Sequence, residues 1–87
     1  MIRTYSETLI ALEVATGKEC EISHAIITAE DNLRGKPKEV RIHFYGKTAE
    51  EVSERIVVGV RFTYRGYVSV DANGNHTLIG QTFALIV

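Results

Sequence analysis

The sequence predicts an all-β protein: five strands closed into a small barrel, with one short helix between the third strand and the fourth. Three observations predict it. Apolar residues alternate up to Phe44-Tyr45-Gly46-Lys47, a stretch with helical spacing follows at once and ends at Gly59, and an aromatic strand comes next, broken by Gly66. A strand that hands over to a short helix and then to a glycine-broken strand is the connection small five-stranded barrels place between strands three and four.

Each element has its own signal. Thr8 to Val14 alternates weakly around Ile10, Leu12 and Val14, and Thr16-Gly17-Lys18 reads as the turn that closes strand one. Glu21 to Ala29, with the apolar centre Ala25-Ile26-Ile27, is strand two, and the polar run Glu30 to Lys38, with Asn32, Gly35 and Pro37, is a hairpin loop. In strand three Val40, Ile42 and Phe44 share the core face, while Arg41, His43 and Tyr45 share the other. Thr48 precedes Ala49-Glu50-Glu51, a Thr-x-x-Glu helix start whose acids complement the helix dipole. Val52 and Ile56, with Ala49, lie at helical spacing on one side and plug the open bottom of the barrel. In strand four Val60, Phe62 and Tyr64 alternate with Arg61, Thr63 and Arg65, and Gly66 marks a sharp bend before Val68 and Val70. Asp71-Ala72-Asn73-Gly74-Asn75 is a hairpin turn, and Thr77 to Val87 is a very apolar last strand. Phe62, Tyr64 and Phe83 are assigned to the core, since they share faces with apolar neighbours.

Size and composition bound the rest. The 87 residues, 45% hydrophobic and 24% charged, describe one domain over 1–87 with room for one core, and association with copies of itself would add stability. No apolar run approaches the roughly 20 residues that cross a bilayer, and Met1-Ile2-Arg3-Thr4-Tyr5-Ser6 lacks the order of a signal peptide, so a cytoplasmic location without membrane attachment is expected. Cys20 is the one cysteine, which leaves no internal disulfide and makes it a small core or edge residue. The chain has neither an internal repeat nor a low-complexity segment.

Net charge is -1, but the charges are unevenly placed. Up to Asp31 the chain carries Arg3 and Lys18 against Glu7, Glu13, Glu19, Glu21, Glu30 and Asp31; from Arg34 to Lys47 it carries Arg34, Lys36, Lys38, Arg41 and Lys47 against Glu39. This basic middle has two readings, a phosphate-binding segment or an ordinary solvated loop.

A barrel in this strand order is the oligonucleotide-binding, or OB, fold. The phrase Tyr45-Gly46-Lys47-Thr48-Ala49-Glu50, then Ser53-Glu54, Val58-Gly59 and Tyr64-Arg65-Gly66-Tyr67-Val68, resembles the bacterial and phage single-stranded-DNA-binding protein family. The resemblance covers the C-terminal half, and points to a tail-less member such as a phage protein or the primosomal replication protein N built on the same barrel. It implies binding of single-stranded DNA with little sequence preference, in replication or recombination, as a homo-oligomer such as a dimer or tetramer, alongside replication proteins.

A single strand offers regularly spaced phosphates and unpartnered base faces, so arginines and aromatics should share a surface. Were strands three and four side by side, Arg41, His43 and Tyr45 would neighbour Arg61, Arg65 and Tyr67. With Arg34, Lys36, Lys38 and Lys47 from the loop and helix start, these are the candidate nucleic-acid-binding residues. The chain has no tryptophan, so stacking falls to tyrosine. The other reading of this surface is a subunit contact, with the arginines keeping the strand soluble.

Catalysis finds no support. His24, His43 and His76 fall on different elements, Ser6, Ser23, Ser53 and Ser69 have no glycine-rich elbow, and Glu50-Glu51 are helix-start acids. The 71–75 turn lacks the closing glutamate of a calcium loop, so neither metal nor cofactor is expected. The alternative function is an oligomeric protein-interaction OB module, a primosome-like adaptor, to which nucleic acid is incidental.

Overall fold

The computed structural model of the protein describes residues 2–5, 8–31 and 37–86, arranged as β1 (Ile2–Tyr5), β2 (Leu9–Glu19), β3 (Ile22–Asp31), β4 (Lys38–Tyr45), α1 (Gly46–Arg55), β5 (Arg61–Val70) and β6 (His76–Leu85). The expected strands one to five are β2 to β6, and they close into a ring. β2 pairs with β3, β3 with β4, β4 in parallel with β6, β6 with β5, and β5 returns to β2 through Leu9↔Phe62 and Ile10↔Arg61. This is the OB arrangement, with the helix between the third and fourth barrel strands. β1, for which the sequence carried no strand signal, adds a short ribbon along β5 from Ile2↔Val68 to Tyr5↔Arg65.

The core lies inside the ring. Leu9, Ala11, Ala25, Ile27, Ala29, Ile42, Phe44, Phe62 and Tyr64 fill it, and Ala49, Val52 and Ile56 of α1 close one end as the helical spacing predicts. Phe83 packs against this cluster and meets Phe44 edge-on, with ring centroids 6.2 Å apart.

Several local expectations are corrected. The first-strand face is Leu9 and Ala11; Ile10 is half-buried and Leu12 exposed. A bulge between Ala11 and Glu13 shifts the alternation, so that Val14 packs back against the core. In β3 only Ala25 and Ile27 of the apolar trio point inward, since Ile26 sits on the opposite side of the pleat.

The strand does not stop at Thr16-Gly17-Lys18. It continues to Glu19↔Ile22, and the turn is Cys20-Glu21, both at positive φ (50° and 63°), as a two-residue hairpin matched to strand twist requires. Cys20 is therefore exposed at the hairpin tip, not in the core. The helix also begins earlier than predicted. Its N-cap is Tyr45, without a side-chain capping bond and with no acid in the first turn. Thr48 lies within α1 and its hydroxyl donates to the Gln81 carbonyl at 3.4 Å.

Gly66 sits at a bulge in the β5–β6 ladder, as its place in the sequence suggests, and faces Gly80 there. The 71–75 turn forms as expected: the Asp71 carboxylate accepts the backbone N–H groups of Asn73 (2.8 Å) and Asn75 (2.9 Å), and Gly74 takes φ +81°. The single helix among the described residues is neither long nor apolar enough to cross a membrane.

Candidate nucleic-acid interface

Register decides which outward side chains meet. β4 is flanked by β3 and β6, and β5 by β1, β2 and β6, so the third and fourth barrel strands are not side by side. β6 runs between them because the helix and β5 carry the chain around the ring before β6 returns parallel to β4. The proposed set therefore divides.

On the outward face of β3 and β4, Thr28 lies opposite Arg41, Ile26 opposite His43 and His24 opposite Tyr45. Such pairs sit about 5 Å apart at Cβ, close enough for rings to meet. They do meet. His24 stacks on Tyr45 with centroids 4.4 Å apart and planes 4° from parallel, and lies 5.2 Å from His43 at 23°. His24 Nε2 and His43 Nδ1 are 3.1 Å apart, a hydrogen bond whose donor depends on the tautomer. The three rings form one continuous half-exposed aromatic surface. Sequence reading missed His24 as a member, because its meeting with Tyr45 depends on the β3–β4 register.

Arg41 continues the face from the rings into a shallow groove of about 140 Å³ lined with Glu13, Ala15, Ile26 and Thr28. On the other flank His43 lies opposite Ile79, and Ile79 opposite Tyr67, so Tyr67 is reached only across β6. Arg61 and Arg65 fall away from this face. They lie beyond the Gly66 bulge, where β5 pairs with Thr82–Leu85, while β4 pairs with Leu78–Gly80.

The described cations of the basic middle, Lys38, Arg41 and Lys47, lie on different parts of the fold. Lys38 opens β4 opposite Asp31, Lys47 is exposed on the first turn of α1, and Arg34 and Lys36 lie outside the described residues. By strand alternation, Arg41 shares its face with Glu39 and with Glu30 opposite it. What the described residues assemble is an aromatic platform with one arginine amid carboxylates, not a broad cationic patch. Among the described residues no three His, Cys, Asp or Glu side chains gather as a metal site would need.

No family model matches the sequence, and no curated protein matches it. Solved structures do. The second single-stranded-DNA-binding protein of Mycobacterium smegmatis matches at a TM-score of 0.79 and 12% identity, over 97% of this chain and 87% of that one. The single-stranded-DNA-binding domain of a Synechococcus protein matches at 0.77 and 10% identity, over 95% and 93%. The N-terminal domain of the PriB protein from Thermoanaerobacter tencongensis, a dimeric structure, matches at 0.77 and 11% identity, over 99% and 97%. The chain thus has the OB fold of the single-stranded-DNA-binding proteins and of PriB.

Proposed function

We infer that the protein binds single-stranded DNA, without catalysis and with little sequence preference, by stacking bases on the Tyr45–His24–His43 surface. The observation that carries this reading is the stack itself, three rings assembled on the outward face of β3–β4. That pair of strands is the one on which OB folds take oligonucleotides. Arg41 supplies the phosphate contact beside the platform, with Tyr67, Lys38 and Lys47 at its margins. The fold neighbours that are single-stranded-DNA-binding proteins support the reading, which extends to a homo-oligomer of barrels acting in replication or recombination in the cytoplasm, the oligomer supported by the dimeric PriB neighbour.

The test is oligothymidine binding at two salt concentrations, with mass determination in the same buffer. Stacking contributes about 1–3 kcal/mol per base, so Tyr45→Ala weakens binding while leaving the salt slope unchanged. Arg41→Ala lowers the log-log slope by about 0.7, the value of one phosphate contact on a single strand. Arg61→Ala, remote from the platform, serves as the control and alters neither. Unchanged affinity in Tyr45→Ala would remove the platform from the binding surface.

The protein-interaction reading rests on a different observation, the exposed Leu12, Val57 and Val58. The bonds Gly59 N–H to Ala11 carbonyl and Ala11 N–H to Val60 carbonyl hold these residues close together. An oligomer that binds no oligothymidine at low salt would favour it.

A further inference from the structure

β6 pairs with β5 along its whole length, but its ladder with β4 ends at Phe44↔Gly80, where the chain leaves the sheet and turns into α1 at Gly46. The first turn of α1 reaches this edge at Gln81, the extra residue of the bulge, where the Thr48 hydroxyl donates to the carbonyl. From Thr82 to Leu85 the only strand beside β6 among the described residues is β5. Backbone groups of an antiparallel strand point alternately to its two sides, so part of this segment's N–H and C=O groups face away from β5. Proteins ordinarily guard such an edge with charge or proline, because it recruits extended chain. Here there is neither: no charged residue and no proline occurs from Thr77 to Val87.

The sheet behind the edge carries one sign of charge. β1, β5 and β6 contain Arg3, Arg61, Arg65 and His76 and not one Asp or Glu, although the chain has 11. On β5 the outward positions are Arg61, Thr63 and Arg65, since Phe62 and Tyr64 are buried. Arg65 lies opposite Thr82 and Thr63 opposite Ala84, and these four help to line a groove of about 290 Å³. The small side chains of β6 leave Arg65 a clear path across the strand. A chain added to the edge would run two strand spacings from β5, about 10 Å, which an arginine and a glutamate span between them. Arg61 is flanked by Ile86, whose N–H donates to its carbonyl, and on the β2 side Ile10 separates it from Glu30.

We propose that the β6 edge from Thr82 to Leu85 is a docking site for an extended acidic peptide segment of a partner protein, which adds a strand there and turns its carboxylates toward Arg65 and Arg61. Main-chain hydrogen bonds supply the affinity in such strand addition, and side chains on alternate positions supply the specificity. The charge selects the occupant. A second copy offering its own β6 would bring arginine toward arginine and no carboxylate, and a polynucleotide has no peptide backbone with which to extend a β-ladder. The proposal needs neither the aromatic platform nor the Leu12–Val57–Val58 surface.

The probe is a fluorescein-labelled peptide of alternating valine and glutamate, compared with valine–glutamine and valine–lysine peptides and with an N-methylated valine–glutamate peptide that lacks backbone donors. The acidic peptide should bind at low salt, and amide hydrogen exchange should slow within residues 82–85. The glutamine, lysine and N-methylated peptides should bind more weakly. Exposed ion pairs are modest, so Arg65→Ala should weaken the acidic peptide by up to about fivefold, while Arg65→Glu turns the preference toward the lysine peptide. Both variants should keep the parent's urea midpoint, since Arg65 is exposed. Absence of binding, equal binding of the glutamine or N-methylated peptide, or protection that appears away from β6 overturns the proposal. Oligothymidine should leave the peptide bound; displacement would assign this face to nucleic acid and overturn the proposal as well.

Discussion

Gly66 and Gly80 face each other across β5 and β6, and each is required by a different neighbour. A Cβ on Gly66 would lie 1.7 Å from the Ile79 carbonyl oxygen, which is backbone and has nowhere to go. A Cβ on Gly80 would lie 2.2 Å from Cε1 of Phe44, a side chain. Overpacking of this kind typically costs about 1–3 kcal/mol and sometimes more. Gly80→Ala should therefore lower the urea midpoint, and Phe44→Leu should recover part of the loss in the double variant; Gly66→Ala should be the more damaging and gain nothing from Phe44→Leu. Equal midpoints for Gly80→Ala and the parent would mean that β6 moves freely over the core. At the other end of β5, the backbone N–H of Asn75 chiefly, with that of Asn73, the Asn75 amide and His76, holds the Asp71 carboxyl below its ordinary value of 3.8. A carboxyl depressed on folding contributes stability above its unfolded value and loses it as pH falls through the lowered one. Asp71→Ala should thus melt below the parent at pH 7, and the gap should close as the pH falls through the lowered value. A gap that persists in acid would assign the effect to something other than the carboxylate.

At the scale of elements, the β2–β3 hairpin owes its length to a turn that glycine does not make. Cys20 and Glu21 both hold positive φ, a conformation costing roughly 1–2 kcal/mol for a residue with a Cβ. Glu21→Gly, at an exposed position, should raise the urea midpoint by an equivalent of about 1 kcal/mol with no change in m. The helix makes the opposite case. α1 has no side-chain cap and no acid in its first turn, so packing rather than capping holds it in place. Arg55 in its last turn suits the dipole and lies 5.6 Å from the centroid of the Phe83 ring. Ile56, buried at the exit from the helix, should cost about 2–5 kcal/mol when cut to alanine, read from denaturant unfolding. A loss under 1 kcal/mol would show that the barrel closes without its plug.

For the whole molecule, closure is the decisive event. The ring shuts through Leu9↔Phe62 and Ile10↔Arg61, and through the parallel contact of Ile42–Phe44 with Leu78–Gly80, all between segments distant in sequence. Chains dominated by such pairings close long loops before contacts offset the entropy, and fold in milliseconds to seconds. Stopped-flow refolding in that range is expected, and microsecond folding would show that local hairpins dominate the barrier. Closure also sets the geometry of the candidate face. It puts β6 between β4 and β5, which leaves Arg61 and Arg65 beyond the Gly66 bulge, while the β3–β4 register brings His24 to Tyr45.

What the sequence determined by itself is what local chemistry specifies: alternation in β4 and β5, the helical spacing of Ala49, Val52 and Ile56, the Asp71–Asn75 turn, the glycine at the bend. Those signals ended in the correct fold class, because strand order and helix position are written along the chain. Where the first barrel strand ends, which face of β2 is buried and which rings meet were decided by tertiary structure alone. The bulge at Leu12 switches faces in mid-strand, and the Cys20-Glu21 turn carries none of the usual turn residues. The physical reason is that a strand's partners are fixed only when the ring closes and registers lock; until then His24, Tyr45, Arg41 and Arg65 are merely outward residues, with nothing in their order to say which of them will share a face.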